Sequence, residues 1–496
     1  MLYEIYVRSF MDSDGNGVGD LEGIRQRLPY LRDLGVEGIW ITPFYPSPGA
    51  DHGYDVANYV DVDPLFGSLA DFDRLVADAH EQGLRVIVDL VPNHTSIEHP
   101  WFREHPEYYV WTDEPNNWLS VFGGKAWTWD EERGKYYLHL FAPEQPDLDW
   151  HNPAVPKEFE RIIRFWLDRG VDGFRIDVAH ALFKHEGLPD EDLPNPAADP
   201  STFDRRIAID RPELHPLYRE WRKLADSYDG ERLLLGEVYI IDPGRIAKYV
   251  RPDELHLAFN FVLLKKEWSA DEFRDAIEST LDALRTVQAT PTWVLESHDA
   301  MRTPTRYGGG IEGARRARAS ALLLLALPGT VFLYQGQELG LEEVELPDVL
   351  RQDPVFYRSN GDRKGRDGCR VPIPWSAVGA GLGFTTGTPW LPIPDNWKEK
   401  SVAEQQADDR SPLALYRRAL ALRRGILALR EGDFAWRESE PEVLVFERRQ
   451  GSETIACAVN VSAERLPVPE GDVLLTSEDG LGGTLPAGTA AWVRDR

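Results

Sequence analysis

Apolar positions along the chain fall into two alternating rhythms. Leu, Ile, Val and Phe recur three and four residues apart at 21–34, 70–81, 155–169, 214–227, 270–284 and 313–327, the spacing of one helix face. Between them lie short apolar runs at 36–41, 85–91, 171–178, 233–238, 292–295 and 331–334, with an opening run at 2–7 and a weaker one at 257–261. Continuous apolar runs of that length read as strands buried on both faces, as in a parallel sheet covered by helices. Eight strands alternating with helices predict a closed (β/α)8 barrel over an open doubly wound sheet. No Gly-rich phosphate fingerprint follows the first strand, which further disfavours a nucleotide fold.

Three connections are too long to be plain loops: 95–152, rich in Trp, Tyr and Pro, then 182–213 and 340–410. All three leave the C-terminal ends of strands, the side on which barrel enzymes build their sites. After a helical stretch at 412–424, the tail alternates apolar and polar residues, as in Glu442-Val443-Leu444-Val445-Phe446 and Thr454-Ile455-Ala456-Cys457-Ala458-Val459. The expected organisation is an α/β TIM barrel built from 1–94 and 153–425. A subdomain at 95–152 is inserted after the third strand, and an all-β sandwich at 426–496 closes the chain.

Composition narrows the partners. The 496 residues carry 83 acidic and 55 basic side chains, a formal net charge of -28. Such a surface repels nucleic acid and anionic membranes, so a neutral ligand is the natural partner. The longest apolar run, Ala321 to Leu327, is far too short to span a bilayer. The chain opens on a strand rather than a basic leader, and its two cysteines, Cys369 and Cys457, lie far apart. A cytoplasmic monomer or homodimer is expected.

Candidate chemistry gathers at the strand ends. In Gly173-Phe174-Arg175-Ile176-Asp177-Val178-Ala179-His180 an apolar run ends with Arg175 and Asp177 two residues apart, hence on one face of a strand. The third strand ends in Asp89-Leu90-Val91-Pro92-Asn93-His94, the fifth in Gly236-Glu237-Val238-Tyr239 and the seventh in Ser297-His298-Asp299. Carboxylates flanking one bond suit glycoside hydrolysis, in which one attacks the anomeric carbon and the other protonates the departing oxygen. Asp177, beside a guanidinium, is the better nucleophile; Glu237, with no neighbouring cation in sequence, is the better acid. Asp299 is the third carboxylate, gripping sugar hydroxyls as the ring flattens. A metallohydrolase using His94 and His298 lacks a compact ligand motif such as H-E-x-x-H. Near the start, Asp12-Ser13-Asp14-Gly15-Asn16-Gly17-Val18-Gly19-Asp20 sets oxygen ligands at alternate positions with glycines between, as a hard cation such as Ca²⁺ requires. The distal bidentate Glu of the familiar calcium loop is missing.

Taken together, the four strand ends resemble the four signature regions of the α-amylase superfamily of retaining glycoside hydrolases, in order and at matching separations. Tyr3-Glu4-Ile5-Tyr6-Val7-Arg8-Ser9-Phe10, the acidic loop after it, and Gly365-Arg366-Asp367-Gly368-Cys369-Arg370 further resemble the α-glucosidase and oligo-1,6-glucosidase branch. The resemblance implies Asp177 as nucleophile, Glu237 as general acid/base and Asp299 as transition-state stabiliser. It makes Arg175 the residue that orients Asp177, and His94 and His298 holders of sugar hydroxyls. Asp51 and Arg370 match the pair that grips the terminal glucose, Tyr54 the aromatic platform beneath it and Phe141 a residue lining the pocket. It implies a structural Ca²⁺ held by Asp12, Asp14, Asn16, the Val18 carbonyl and Asp20, and no organic cofactor. The expected activity is removal of single α-linked glucose units from the non-reducing ends of neutral oligosaccharides. The alternatives are an α-glucosyl transferase or a sucrose- or trehalose-type sugar isomerase, which capture the same intermediate with a sugar, and a non-catalytic binding or scaffold homologue. Ser297 stands where the family usually has Asn. Val178, at a position associated with linkage preference, leaves α-1,4 against α-1,6 open.

Overall fold

The computed structural model describes residues 1–191, 208–379, 381–480 and 483–496. Eight parallel strands form one sheet: β1 (Leu2–Ile5), β2 (Gly38–Ile41), β3 (Arg85–Leu90), β4 (Gly173–Ile176), β5 (Leu233–Gly236), β6 (Leu257–Ala258), β7 (Thr292–Trp293) and β8 (Thr330–Tyr334). They lie in the spatial order β7-β8-β1-β2-β3-β4-β5-β6, so the sheet wraps almost fully round. Among the described residues no ladder joins β6 to β7. A side-chain hydrogen bond from the Thr292 hydroxyl to the Ala258 carbonyl spans that seam. Both seam strands are shorter than their apolar runs predict, because the chain leaves the ladder at Phe259 and Val294 to feed the mouth of the barrel.

The helices form where the periodicity places them, with local signals at their ends. The helix Leu21–Leu34 starts at Asp20, whose carboxylate accepts the Gly23 amide, and stops at Gly35, whose φ of 102° suits glycine. Its buried stripe of Leu21, Ile24, Leu28, Leu31 and Leu34 packs into the shell between sheet and helices. Strand parity sorts the rest. On β4, Phe174 and Ile176 enter that outer core, whereas Arg175 turns inward and lies over the Trp40 ring. Below it Leu2, Trp40, Ile87, Leu235, Leu257 and Phe332 fill the barrel interior. Apolar residues therefore plug the lower barrel, and charged residues face inward only at the top.

The segment 95–152 carries the helix Pro100–Glu104 and a three-stranded antiparallel sheet of Trp111–Thr112, Lys135–Leu138 and Trp127–Asp130. Buried Lys184 pins it to the barrel, reaching Asp147 at 2.8 Å and the Asn93 side-chain oxygen at 2.8 Å. Of the long connection at 182–213, residues 192–207 lie outside the described set. The C-terminal domain is all-β: Asp433–Trp436, Val443–Gln450, Glu453–Asn460, Thr489–Arg494 and Asp472–Thr476 form one antiparallel sheet in that order. Its inner face, with Leu444, Phe446, Ile455 and Trp492, joins the main core. Trp492 donates to the Leu322 carbonyl of the helix Gly310–Ala326 at 3.0 Å. A two-stranded ribbon, Leu466–Pro467 with Thr484–Leu485, covers part of the other face, so helix and ribbon stand in for a second full sheet. No described helix is long and apolar enough to cross a membrane.

Candidate active site

A cavity of 530 Å³ opens at the C-terminal ends of the strands, within the range of small-molecule sites. Asp51, Tyr54, His94, Phe141, Asp177, Glu237 and Asp299 all line it. Residues as far apart in sequence as 51 and 299 therefore meet at one rim.

The base of the site is Arg175. Buried in the barrel mouth, its guanidinium donates to Asp89 Oδ1 at 2.9 Å and to Asp177 Oδ1, and lies 3.0 Å from Glu237 Oε2. One cation thus serves three carboxyls, and the sequence-based distinction between a cation-paired Asp177 and an unpaired Glu237 does not hold. Burial, position and hydrogen bonding separate the two instead. Asp177 is the more deeply buried, and Glu237 Oε2 also accepts the Val178 amide at 3.0 Å. Val178 supplies that amide from a φ of 46°, a region costly for a β-branched residue, so the backbone beyond Asp177 is strained toward Glu237. Burial raises the Asp177 carboxyl well above its usual range; Arg175 opposes the rise, while Glu237 and Asp89 add to it. Asp89 is likewise raised to about 6, chiefly by burial against the pull of Arg175. Three carboxyls round one guanidinium compete for its charge.

Asp299 sits in the opposite environment. Burial would raise it, but His298, Arg366, Arg370 and Arg175 together hold it far below the ordinary carboxylate range. Its Oδ1 accepts from Arg366 at 3.0 Å and Arg370 at 2.9 Å, and its Oδ2 lies 3.3 Å from His298 Nε2. His298 is itself held by Glu4, 2.5 Å from Nδ1, and by the Tyr54 hydroxyl, 2.9 Å from Nε2, and it stacks on the Tyr54 ring at 5.5 Å.

Arg370, expected to grip sugar beside Asp51, does not reach the cavity. It is buried behind the wall, where Nε donates to the His298 carbonyl at 2.9 Å. Arg366, one helical turn earlier, takes the expected place: it lines the cavity and donates to Asp51 Oδ1 at 2.8 Å. The cause is local. Asp353 binds the Arg366 backbone amide and, at 2.7 and 3.0 Å, its guanidinium. Gly365, at φ 74°, lets the chain approach so closely that an added Cβ would lie 2.8 Å from the Asp353 Cβ. Burial raises Asp51 to about 6, against the lowering charges of Arg366 and Arg370. Gln145, also overlooked in the sequence, joins the two sides of the rim, its amide 3.2 Å from Asp51 Oδ2 and 3.0 Å from His94 Nε2. Burial lowers His94 to about 4, so its ring is neutral at pH 7.

The acidic loop lies apart from this cavity. Carboxylate oxygens of Asp12, Asp14 and Asp20 converge within 4.8 Å of one another, a span that one Ca²⁺ with oxygens at about 2.3–2.6 Å would bridge. Among the described residues none of the three is in an ion pair. Asp12 accepts the Asp14, Gly15 and Gly17 amides and Asp20 accepts those of Ser13 and Gly23, which orients both carboxylates. Asn16 donates to Asp14 and accepts the Val18 amide, keeping the loop wrapped. The donor set fits a hard cation.

Comparison with known proteins agrees with this geometry. Residues 4–432 match the family described as "Alpha amylase, catalytic domain". A probable alpha-glucosidase of Rhizobium meliloti (strain 1021) is 41% identical over 497 residues, covering 94% of this chain and 89% of its own. An oligo-1,6-glucosidase of Parageobacillus thermoglucosidasius is 34% identical over 515 residues, covering 94% and 90%. Among solved structures, an alpha-glucosyl transfer enzyme superposes with a TM-score of 0.92 at 40% identity, covering 100% of this chain and 98% of its own.

Proposed function

The chain belongs to the alpha-amylase family, and on that premise we propose that it is a retaining exo-α-glucosidase acting on short α-linked oligosaccharides. It is a glycoside hydrolase. The observation that carries the reading is that Asp177 and Glu237 line one cavity while sharing the Arg175 guanidinium.

In the first half-reaction an Asp177 oxygen attacks C1 of the terminal glucose, and the bond from C1 to the leaving oxygen breaks as Glu237 protonates that oxygen. In the second half-reaction Glu237 takes a proton from water as its oxygen attacks C1, and the ester to Asp177 breaks. Asp299, kept ionised by its cations, grips sugar hydroxyls as positive charge develops on the ring. The Asp51 and Arg366 pair, joined through Gln145 to His94, forms a charged stretch of the cavity wall, and a terminal glucose gripped there supports exo-action. The retained Asp177, Glu237 and Asp299 argue against a non-catalytic scaffold.

The likeness to a glucosyl transfer enzyme favours one second reading, in which an acceptor other than water captures the same glucosyl-enzyme. We further assign the Asp12, Asp14 and Asp20 loop to a structural Ca²⁺, with Asn16 and the Val18 carbonyl as remaining ligands. Bound there, the ion would neutralise the three carboxylates and fasten Asp12, which also accepts the Thr385 hydroxyl, to the loop after β8. Both cysteines are unpaired and buried, which supports a cytoplasmic setting. Proton NMR of maltose hydrolysis tests the main assignment: glucose from the non-reducing end appears first as the α-anomer. An initial β-anomer, or an Asp177→Asn variant keeping most activity, contradicts it.

A further inference from the structure

Glu4 is the acid on a first strand otherwise made of Leu, Tyr and Ile, and it is only 1% exposed. A buried carboxylate is costly unless a cation faces it. Among the described residues its ion-pair partner is His298: Glu4 Oε1 lies 2.5 Å from Nδ1 and also accepts the His298 backbone amide at 3.2 Å. β1 and β7 flank β8 in the sheet, so this contact crosses inside the barrel mouth.

The other ring nitrogen decides the charge. Nε2 faces two oxygens, the Tyr54 hydroxyl at 2.9 Å and Asp299 Oδ2 at 3.3 Å. The Tyr54 proton has an acceptor of its own, Asp89 Oδ2 at 3.2 Å. A bare lone pair on Nε2 would draw that proton away from Asp89 and would point at the Asp299 carboxylate with no proton between them. An N–H there serves both oxygens and leaves Tyr54 bonded to Asp89. Nδ1 faces a carboxylate and donates as well, so the ring is an imidazolium with Glu4 as its counter-ion. Two guanidiniums oppose that charge: Arg175, bonded to Asp89 and 5.8 Å from the Tyr54 ring, and Arg370, whose Nε donates to the His298 carbonyl. The carboxylates of Glu4, Asp299 and Asp89 outweigh them, and the Tyr6 and Trp40 rings complete the surroundings. Burial raises Asp299, and the largest of the charges that overcome it is that of His298.

We propose that Glu4 is a positioning residue for the reaction: it holds His298 doubly protonated, which keeps a fixed cation against Asp299 and turns the Tyr54 hydroxyl onto Asp89. This role rests on the glucosidase reading above, in which Asp299 meets the positive charge that develops on the sugar ring. Glu4 touches no sugar and acts through His298. From there the hydrogen bonds continue through Tyr54 and Asp89 to Arg175, which holds Asp177 and Glu237. Glu4→Gln keeps the size of the side chain and an oxygen that can accept from Nδ1, and it removes only the charge. An imidazole without a carboxylate partner is mostly neutral at about pH 7.5. The Tyr54 proton then turns to Nε2, and Asp299 loses its strongest cation.

Proton-detected NMR of the full chain with ¹⁵N-labelled histidines, at about pH 7.5, reads the ring directly, His298 being identified by cross-peaks to the Tyr54 and Trp40 rings. Both ring nitrogens should carry protons in the parent, and Nε2 should lose its proton in Glu4→Gln. An Nε2 without a proton in the parent overturns the proposal, and no substitution is needed to see it. Maltose kinetics of Glu4→Gln separate this role from packing. The kcat should fall about tenfold or more, the scale of a lost charge-assisted contact, with KM changed less than about twofold. A kcat equal to the parent's, or a rise in KM alone, counts against the role. Failure of the parent to hydrolyse both maltose and an aryl α-glucoside removes the glucosidase reading and the kinetic role with it, whatever protons the ring carries.

Discussion

Arg175 is an inward-facing strand residue at the height where the barrel plug ends, and its fork geometry is what lets it bridge Asp89, Asp177 and Glu237. Lysine would carry the charge without the fork. Arg175→Lys should therefore lower kcat by about a hundredfold or more with little change in KM, since the lost contacts bear on the reacting groups rather than on bound sugar. Asp51 and Arg366 make the opposite prediction. Arg366→Lys should raise KM for maltose, at a cost of about 2–3 kcal/mol in kcat/KM, because the charged contact with Asp51 lies on the cavity wall. Asp51 links the site to pH. Burial raises it to about 6, so kcat/KM should fall as pH drops through about 6 and the carboxylate that accepts sugar hydroxyls is neutralised. Its stability linkage has the other sign: a raised carboxyl favours the folded state below its unfolded value near 3.8 and gives that stability up as pH rises through about 6. Asp51→Asn should thus remove the Asp51 part of the acidic limb, leaving the part set by Asp177 and Asp89 beside Arg175, while its Tm, relative to the parent, improves from pH 4 to 7. Parallel pH–rate and melting series check both signs.

At the scale of elements, helix ends and loops show how the site is held in place. The helix Gly310–Ala326 ends without a glycine cap; two arginines from other elements do that work. Arg423 donates to the Leu325, Leu327 and Gly329 carbonyls and Arg448 to those of Ala326 and Gly432. Burial lowers Arg423 to about 10 and Arg448 to about 9, yet both remain cations at neutral pH against a helix C-terminus. Arg448→Ala should lower stability by about 3 kcal/mol, read as a fall in Tm with the pH–rate profile unmoved. The acidic loop gives a ligand test. Saturating Ca²⁺, at about a hundred times Kd, should add about 2.7 kcal/mol, and chelation should lower Tm without altering the anomer released. Both strands and site were legible in part for one reason: buried parallel strands are almost wholly apolar, so Asp89, Arg175, Asp177, Glu237 and Asp299 stand out at their ends. Arg366 was not legible. It and Arg370 are arginines in the same short stretch, and which of them turns inward is decided by Asp353 and the Gly365 turn. Glu4 shows the converse, an acid inside an apolar run whose role, holding His298, appears only when the seventh strand end meets the first strand inside the barrel mouth. The open seam between β6 and β7 left no mark on the periodicity, because the apolar runs continue past the point where the ladder stops.

For the whole molecule, one division of labour accounts for the architecture. An apolar plug and helix shell hold eight strand ends in register, and the inserted segment, pinned by Lys184, forms one wall of a cavity whose Asp177 and Glu237 are held by Arg175. The all-β domain contacts the outer helix rather than the cavity, and its role is to complete the shell. Everything about catalysis then reduces to whether the carboxylate beside Arg175 on the fourth strand bonds to sugar. The direct measurement is peptide mapping by mass spectrometry of a Glu237→Gln variant incubated with an activated 5-fluoro-α-glucosyl donor. A fluoroglucosyl adduct is expected on the peptide containing Asp177. An adduct on another residue, or inversion with no adduct, would contradict it.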